Sequence, residues 1–177
     1  MDLLGDPALG PAWDRPSQLA EWRVSGVAGH LARAVTTAEQ YLDAEVPDAK
    51  RLTAGGYFAR VVPTDDIYSD LHRTIRERGD EMSAEGPVAL AERVAATLER
   101  LRQRLPAEPP QRAVAVLAGL VLSLDDYLAT RVVELVVHCD DLALSMGVAT
   151  PDFPVEPTDW PPMHSSIRRD EDTATLR

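Results

Sequence analysis

The segment LSLDDYLATRVVELVVHCDDLALSMG, residues 122–147, carries its own start and stop signals. Ser123 is a good N-cap, with Asp126 three residues on in a capping-box variant. Gly147 suits the left-handed position that closes a helix. The spacing predicts a helix over 124–146. At about 100° per residue, Tyr127, Arg131, Glu134, His138, Asp141 and Ser145 share a wedge roughly 80° wide. Val132, Leu135, Val136, Cys139 and Leu142 cover one flank, and Val133, Val137 and Leu144 cover much of the other. A helix that is apolar on nearly every side is usually buried. The polar wedge is therefore expected to face an interior cavity.

Burying Glu134 unpaired there costs on the order of several kcal/mol, so something positive must meet it. His138 lies one turn further and about 40° round, which lets both side chains converge on one point. A dication satisfies both. His30, among Val27, Leu31 and Ala34 on the first helix, offers a third ligand. Two histidines and one carboxylate leave a fourth position open, the pattern of a catalytic zinc, and helix bundles often build metal sites from inward-facing residues. The residues alone leave a metal-free helical interaction domain standing beside this, with Arg131 neutralising Glu134 and His30 an ordinary core histidine. His72, among Asp70, Arg73 and Arg76, and His164 read as solvated surface. Cys139 points about 100° away from His138 and reads as a packed thiol.

Outward from this helix, three more are expected. The first runs from a Ser17 cap to about Ala44, with Val27, Leu31, Ala34, Val35, Ala38, Tyr41 and Leu42 at helical steps. Gly26 and Gly29 weaken it but clear space beside His30 for another element. The second begins at Thr64 or Asp65 and runs to Ser83, with Ile67, Leu71 and Ile75 on one face. The third runs from Pro87 to Leu105. Residues 45–65 read as a loop, and residues 111–123 read equally as an extended segment or a buried helix. The expected fold class is an all-α four-helix bundle, with a short extended segment before the last helix as the variant. Residues 1–16, with three prolines, read as an irregular arm, 17–147 as the domain, and 148–177 as a proline-rich, poorly ordered tail.

Composition narrows the function. The 177 residues carry a net charge of −11, so a nucleic-acid partner is not expected, nor is an anionic membrane surface. A single cysteine excludes an internal disulfide and suits a reducing cytoplasm. The opening MDLLGDPALGP lacks a basic stretch before an apolar one, so no leader is expected.

Two stretches resemble a known family. In WDRPSQLAEWRVSGVAGHLARA, Trp13, Pro16, Ser17, Leu19, Trp22, His30 and Leu31 match the N-terminal signature of the mycothiol-dependent maleylpyruvate isomerase family, within the DinB-like helical superfamily. Arg131, Glu134, His138, Asp141 and Leu142 match its second signature, an Arg-x-x-Glu-x-x-x-His-x-x-Asp-Leu pattern. The resemblance spans roughly residues 10–147. It implies a DinB-like four-helix bundle with zinc, or another divalent ion, on His30, Glu134 and His138. It implies mycothiol, a small cysteine-derived thiol of actinobacteria, as co-substrate, and an electrophilic small molecule as the partner it attacks. Arg131 and Asp141 are then groups that support the metal ligands or touch substrate. The expected activity is thiol S-transfer or an isomerase-like addition and elimination. A non-catalytic metal-binding or regulatory module is the competing expectation.

Overall fold

A computed structural model describes residues 3–61 and 66–153. The fold is mostly helical, with a small sheet. Six helices are formed among the described residues: α1 (Leu9–Ala12), α2 (Val24–Asp43), α3 (Ala54–Val61), α4 (Asp70–Ser83), α5 (Pro87–Arg104) and α6 (Leu124–Met146). The long helix α2 packs against α4, α5 and α6. None of the described helices is long and apolar enough to cross a membrane.

Helix α6 has the predicted ends. The Ser123 hydroxyl accepts from the Asp126 backbone N–H at 3.1 Å and donates to the Asp126 carboxylate at 2.7 Å. Gly147 adopts φ 75°, a conformation open to glycine at little steric cost. Helix α5 also starts at Pro87 as expected. The first long helix does not start at Ser17. The Ser17 hydroxyl bonds locally to Leu19, Pro16 bridges Arg23, and the helix opens at Val24. Residues 17–23 are spent on this loop, which is fastened to the end of α6 where the Gln18 N–H donates to the Ser145 hydroxyl at 3.0 Å.

Three further expectations are corrected. The all-α reading gives way to a sheet of β1 (Arg51–Leu52), β2 (Ala113–Ala115) and β3 (Val121–Ser123), in the order β1-β3-β2. Strand β3 runs parallel to β1 and antiparallel to β2, pairing Val114 with Leu122, both fully buried. The β-branched run in 111–123 takes its extended alternative, turning at Gly119 with φ 73°. Residues 45–65 are more than a loop, since they hold β1 and α3. The Asp126 carboxylate accepts the Ala54 N–H at 3.0 Å and so ties the start of α3 to the first turn of α6. The arm 1–16 is not merely irregular: it forms a 3-10 turn at Leu3–Gly5 and α1, and Leu3, Leu4, Leu9 and Ala12 are core residues. The expected start at Thr64 or Asp65 lies outside the described residues, as does most of the 148–177 tail; the next helix, α4, is capped by Ser69.

The glycines of α2 do clear space. A Cβ on Gly29 would lie 2.0 Å from the Gly79 carbonyl oxygen of α4, and one on Gly79 would lie 2.7 Å from that of Gly26. Only hydrogen at these positions allows the two backbones to meet. The Trp22 ring lies against the same crossing, 3.2 Å from where a Gly79 Cβ would be.

Candidate metal centre

His30 reaches the centre from α2, Glu134 and His138 from α6. The Nε2–H of His30 donates to Glu134 Oε2 at 3.2 Å, and Nε2 of His138 lies 3.4 Å from the same oxygen. The two imidazole rings meet edge to face with centroids 4.6 Å apart. One ligand atom from each of the three residues lies within 4.8 Å of the others. An ion with bonds of about 2.0–2.1 Å in tetrahedral geometry sets its ligands about 3.3 Å apart. Two of the three separations already have about that value, and the third is no more than 4.8 Å. The donor set, two nitrogens and one carboxylate oxygen, is one used at catalytic zinc with a coordination position left over.

The surrounding groups fix these side chains. Asp141 accepts from Nδ1 of His138 at 2.9 Å, so that nitrogen keeps its proton and Nε2 is the one free to ligate. Asp141 therefore acts through His138. Trp22 packs edge-on against His30 at 5.4 Å between centroids. Arg131 forms no ion pair with Glu134. It lies over the Tyr127 ring, 5.2 Å from its centroid, and its Nε donates to the Thr130 hydroxyl. The direct Arg131–Glu134 pair expected in the metal-free alternative does not form; Glu134 meets the two histidines instead.

Burial alone would raise the Glu134 carboxyl, but the hydrogen bonds of His138 and His30 and the charge of Arg131 overcome it and hold it well below the usual carboxylate range. Burial lowers His30, and the neighbouring His138 adds to this against the opposing bond to Glu134. His138 goes the other way. Burial opposes its protonation, yet its contacts to Glu134 and Asp141 prevail and raise it. A fixed anion shared by two imidazoles of unequal basicity is a site prepared for positive charge.

The centre is not sealed. The side chains of His30, Glu134 and His138 are about one-fifth exposed. They open into a cavity of about 350 Å³ between α2, α3, α4 and α6. The expectation of a wholly buried α6 is corrected here, because Val133, Val136, Val137 and Leu144 are exposed. The wedge faces the cavity while part of the apolar flank faces out. His72 is corrected too: it lines the cavity, and its Nδ1–H donates to the Asp66 carbonyl at 2.8 Å. His164 lies outside the described residues. Cys139 packs half-buried against the core, and burial raises its thiol.

The sequence profile of the mycothiol maleylpyruvate isomerase N-terminal domain matches residues 1–143. The chain belongs to this family. No curated protein and no solved structure matches it. All three residues carried over from the family signatures as metal ligands meet at the cavity. Arg131 lines the cavity with them, and Asp141 stands behind His138. Sequence reasoning missed Arg33, Thr37, Tyr57 and Arg78, which also line the cavity. Arg33 and Thr37 follow His30 by three and seven residues, so their helical spacing was a usable signal. Tyr57 was hidden in a presumed loop.

Proposed function

We propose that this protein is a zinc-dependent enzyme that activates mycothiol for attack on an electrophilic small molecule, as a thiol S-transferase or in isomerase-like chemistry. The observation that carries this reading is the convergence of His30, Glu134 and His138 on the wall of an open cavity. A structural metal site would be closed on all sides by protein ligands. This one keeps a side open toward a space large enough for a small thiol and its partner. Family membership supports mycothiol as the thiol, and a reducing cytoplasm is the setting in which such a thiol is available.

When bound, the ion supplies the positive charge that makes a thiol acidic near neutral pH. The chain's own residues do the rest. Asp141 holds the Nδ1 proton of His138 and keeps its Nε2 directed inward. Glu134 balances the positive charge from a position that its two histidines fix. The apolar cavity wall, including Leu19, Ile75 and Leu117, limits water around the nucleophile. In transfer, the thiol proton is released to solvent, the sulfur–carbon bond forms, and the leaving group departs with its electron pair. In the isomerase-like case, the sulfur adds to a double bond, the new single bond rotates, and the thiolate is expelled.

The test is zinc-loaded protein with mycothiol and monobromobimane, followed as bimane adduct over the uncatalysed rate. The wild type is expected to accelerate adduct formation, and His138→Ala is expected to lose both the acceleration and the bound metal. Bound metal with no acceleration in the wild type would leave a metal-binding module and overturn the enzyme reading.

A further inference from the structure

The cavity is basic in an acidic protein. Its described lining holds Arg33 from α2, Arg76 and Arg78 from α4, and Arg131 from α6, while Glu134 is the one carboxylate among those residues. The whole chain carries −11. None of these four arginines has a carboxylate within ion-pair distance among the described residues. Away from the cavity, Arg73, Arg93, Arg100, Arg102, Arg104 and Arg112 are ion-paired, while among the described residues Arg15, Arg23, Arg51 and Arg60 are not. Arg33 is half-buried, and burial together with the charge of Arg78 works against its own charge, with only Glu81 and nearby tyrosines in partial compensation. Guanidinium groups stay charged in proteins, and Arg33 and Arg78 oppose one another at this wall, so a further anion here gains from both.

The rungs between α2 and α6 place the cluster relative to the metal centre. His30 meets Glu134, and seven residues further along α2 the Thr37 hydroxyl meets the Tyr127 hydroxyl at 3.1 Å, seven residues back along α6. The helices are therefore antiparallel across the cavity. Arg33 and Arg131 each stand three residues from the centre on the same side of it, about 4.5 Å along the axis. The Thr37–Tyr127 pair marks the next level. Facing them are apolar side chains, among them Tyr57, Ile67, Leu71, Ile75 and Leu117.

We propose that the electrophile is a molecule with an apolar, ring-sized body and a single carboxylate, the carboxylate held by Arg33, Arg78 and Arg131 and the reacting carbon one helical turn away at the metal centre. A bidentate guanidinium–carboxylate contact fixes orientation as well as charge. The apolar wall distinguishes this substrate from a small dicarboxylate, which would leave a charged end against Ile67, Leu71 and Ile75. The choice of reaction rests on the proposed thiol chemistry, but the binding does not.

Two measurements test this separately. The first follows zinc-loaded protein and mycothiol with 4-chloro-3,5-dinitrobenzoate and with its methyl ester. In both, a carbon–sulfur bond forms, the carbon–chlorine bond breaks, and chloride leaves. After division by the uncatalysed rates, the carboxylate is expected to exceed the ester at least tenfold in kcat/KM. Arg33→Met and Arg78→Met, on different helices and checked for folding by circular dichroism, are expected to bring that ratio near one, chiefly through KM. The second measures binding of 3,5-dinitrobenzoate, which has no leaving group, through tryptophan fluorescence. Binding is expected to weaken tenfold or more in both variants. Binding without turnover of either electrophile would sink the thiol reading and keep this one. Equal preference for acid and ester, together with binding that ignores both substitutions, would overturn it, and so would tighter binding of maleate than of 3,5-dinitrobenzoate.

Discussion

The two sides of α6 invert the usual arrangement of a helix at a protein surface. One side holds Arg131, Glu134 and His138, all partly or largely withdrawn from water around a cavity. The other exposes Val133, Val136, Val137 and Leu144, at 41–55% of their available surface. A surface helix ordinarily turns its charges outward. Here the charged side is turned inward, where His30 of α2 meets Glu134, and the valines are left outside. Hydrophobic content alone therefore did not say which side of this helix met the protein. The chemistry on the polar wedge did.

The sharpest way to break this comparison is to remove a ligand from the inner side. His138→Ala is expected to lower zinc affinity by roughly a thousandfold, more than the 10–100-fold that loss of a supporting partner costs. Competition with a chromogenic chelator measures it, and an unchanged affinity would remove the metal centre. Next is the helix crossing that brings α4 over the cavity. Gly29→Ala places a methyl against the Gly79 carbonyl and is expected to destabilise by about 3 kcal/mol, read from urea melts.

Tyr127, buried between α2 and α6, gives a pH-dependent handle. Burial pushes its hydroxyl up to about 12, above an unfolded value of about 10. The folded state then holds the proton more tightly. Its contribution of about 2–3 kcal/mol is complete below pH 10 and is lost as pH rises toward 12. Urea midpoints at pH 9 and pH 11.5 should fall less in Tyr127→Phe than in the wild type. Asp141→Asn is a gentler change to the inner side. It keeps the shape but weakens the hold on the His138 tautomer, and about 10–100-fold in zinc affinity should be lost. At the small end, Val133→Thr and Val137→Thr on the outer side are expected to change stability by no more than about 0.5 kcal/mol and zinc affinity not at all. A large loss from either would show that the outer side is covered after all.

Much of the candidate centre was legible because its information is local. Arg131, Glu134, His138 and Asp141 lie on one helix whose cap at Ser123 and stop at Gly147 could be read directly, so their shared face followed from the helical repeat. His30 entered through its place on another apolar face and through the family signature. The loop at 17–23 was not legible. Ser17 satisfies the local rule for a cap, yet it is used in a turn while Gln18 binds Ser145, more than a hundred residues away in the chain. The sheet was half legible: the β-branched run before α6 suited a strand, but nothing in residues 51–52 announced the partner that makes β1.

The sequence by itself determined the limits of α6, the order of charged residues along it and the permissive glycines of α2, because each depends on backbone preferences and spacing within a few turns. Only the tertiary structure decided that Glu134 lies between two histidines, that Tyr57 and four arginines share their cavity, and that the valines of α6 face outward. Those outcomes depend on which distant surfaces meet, and that is settled by packing the whole chain at once.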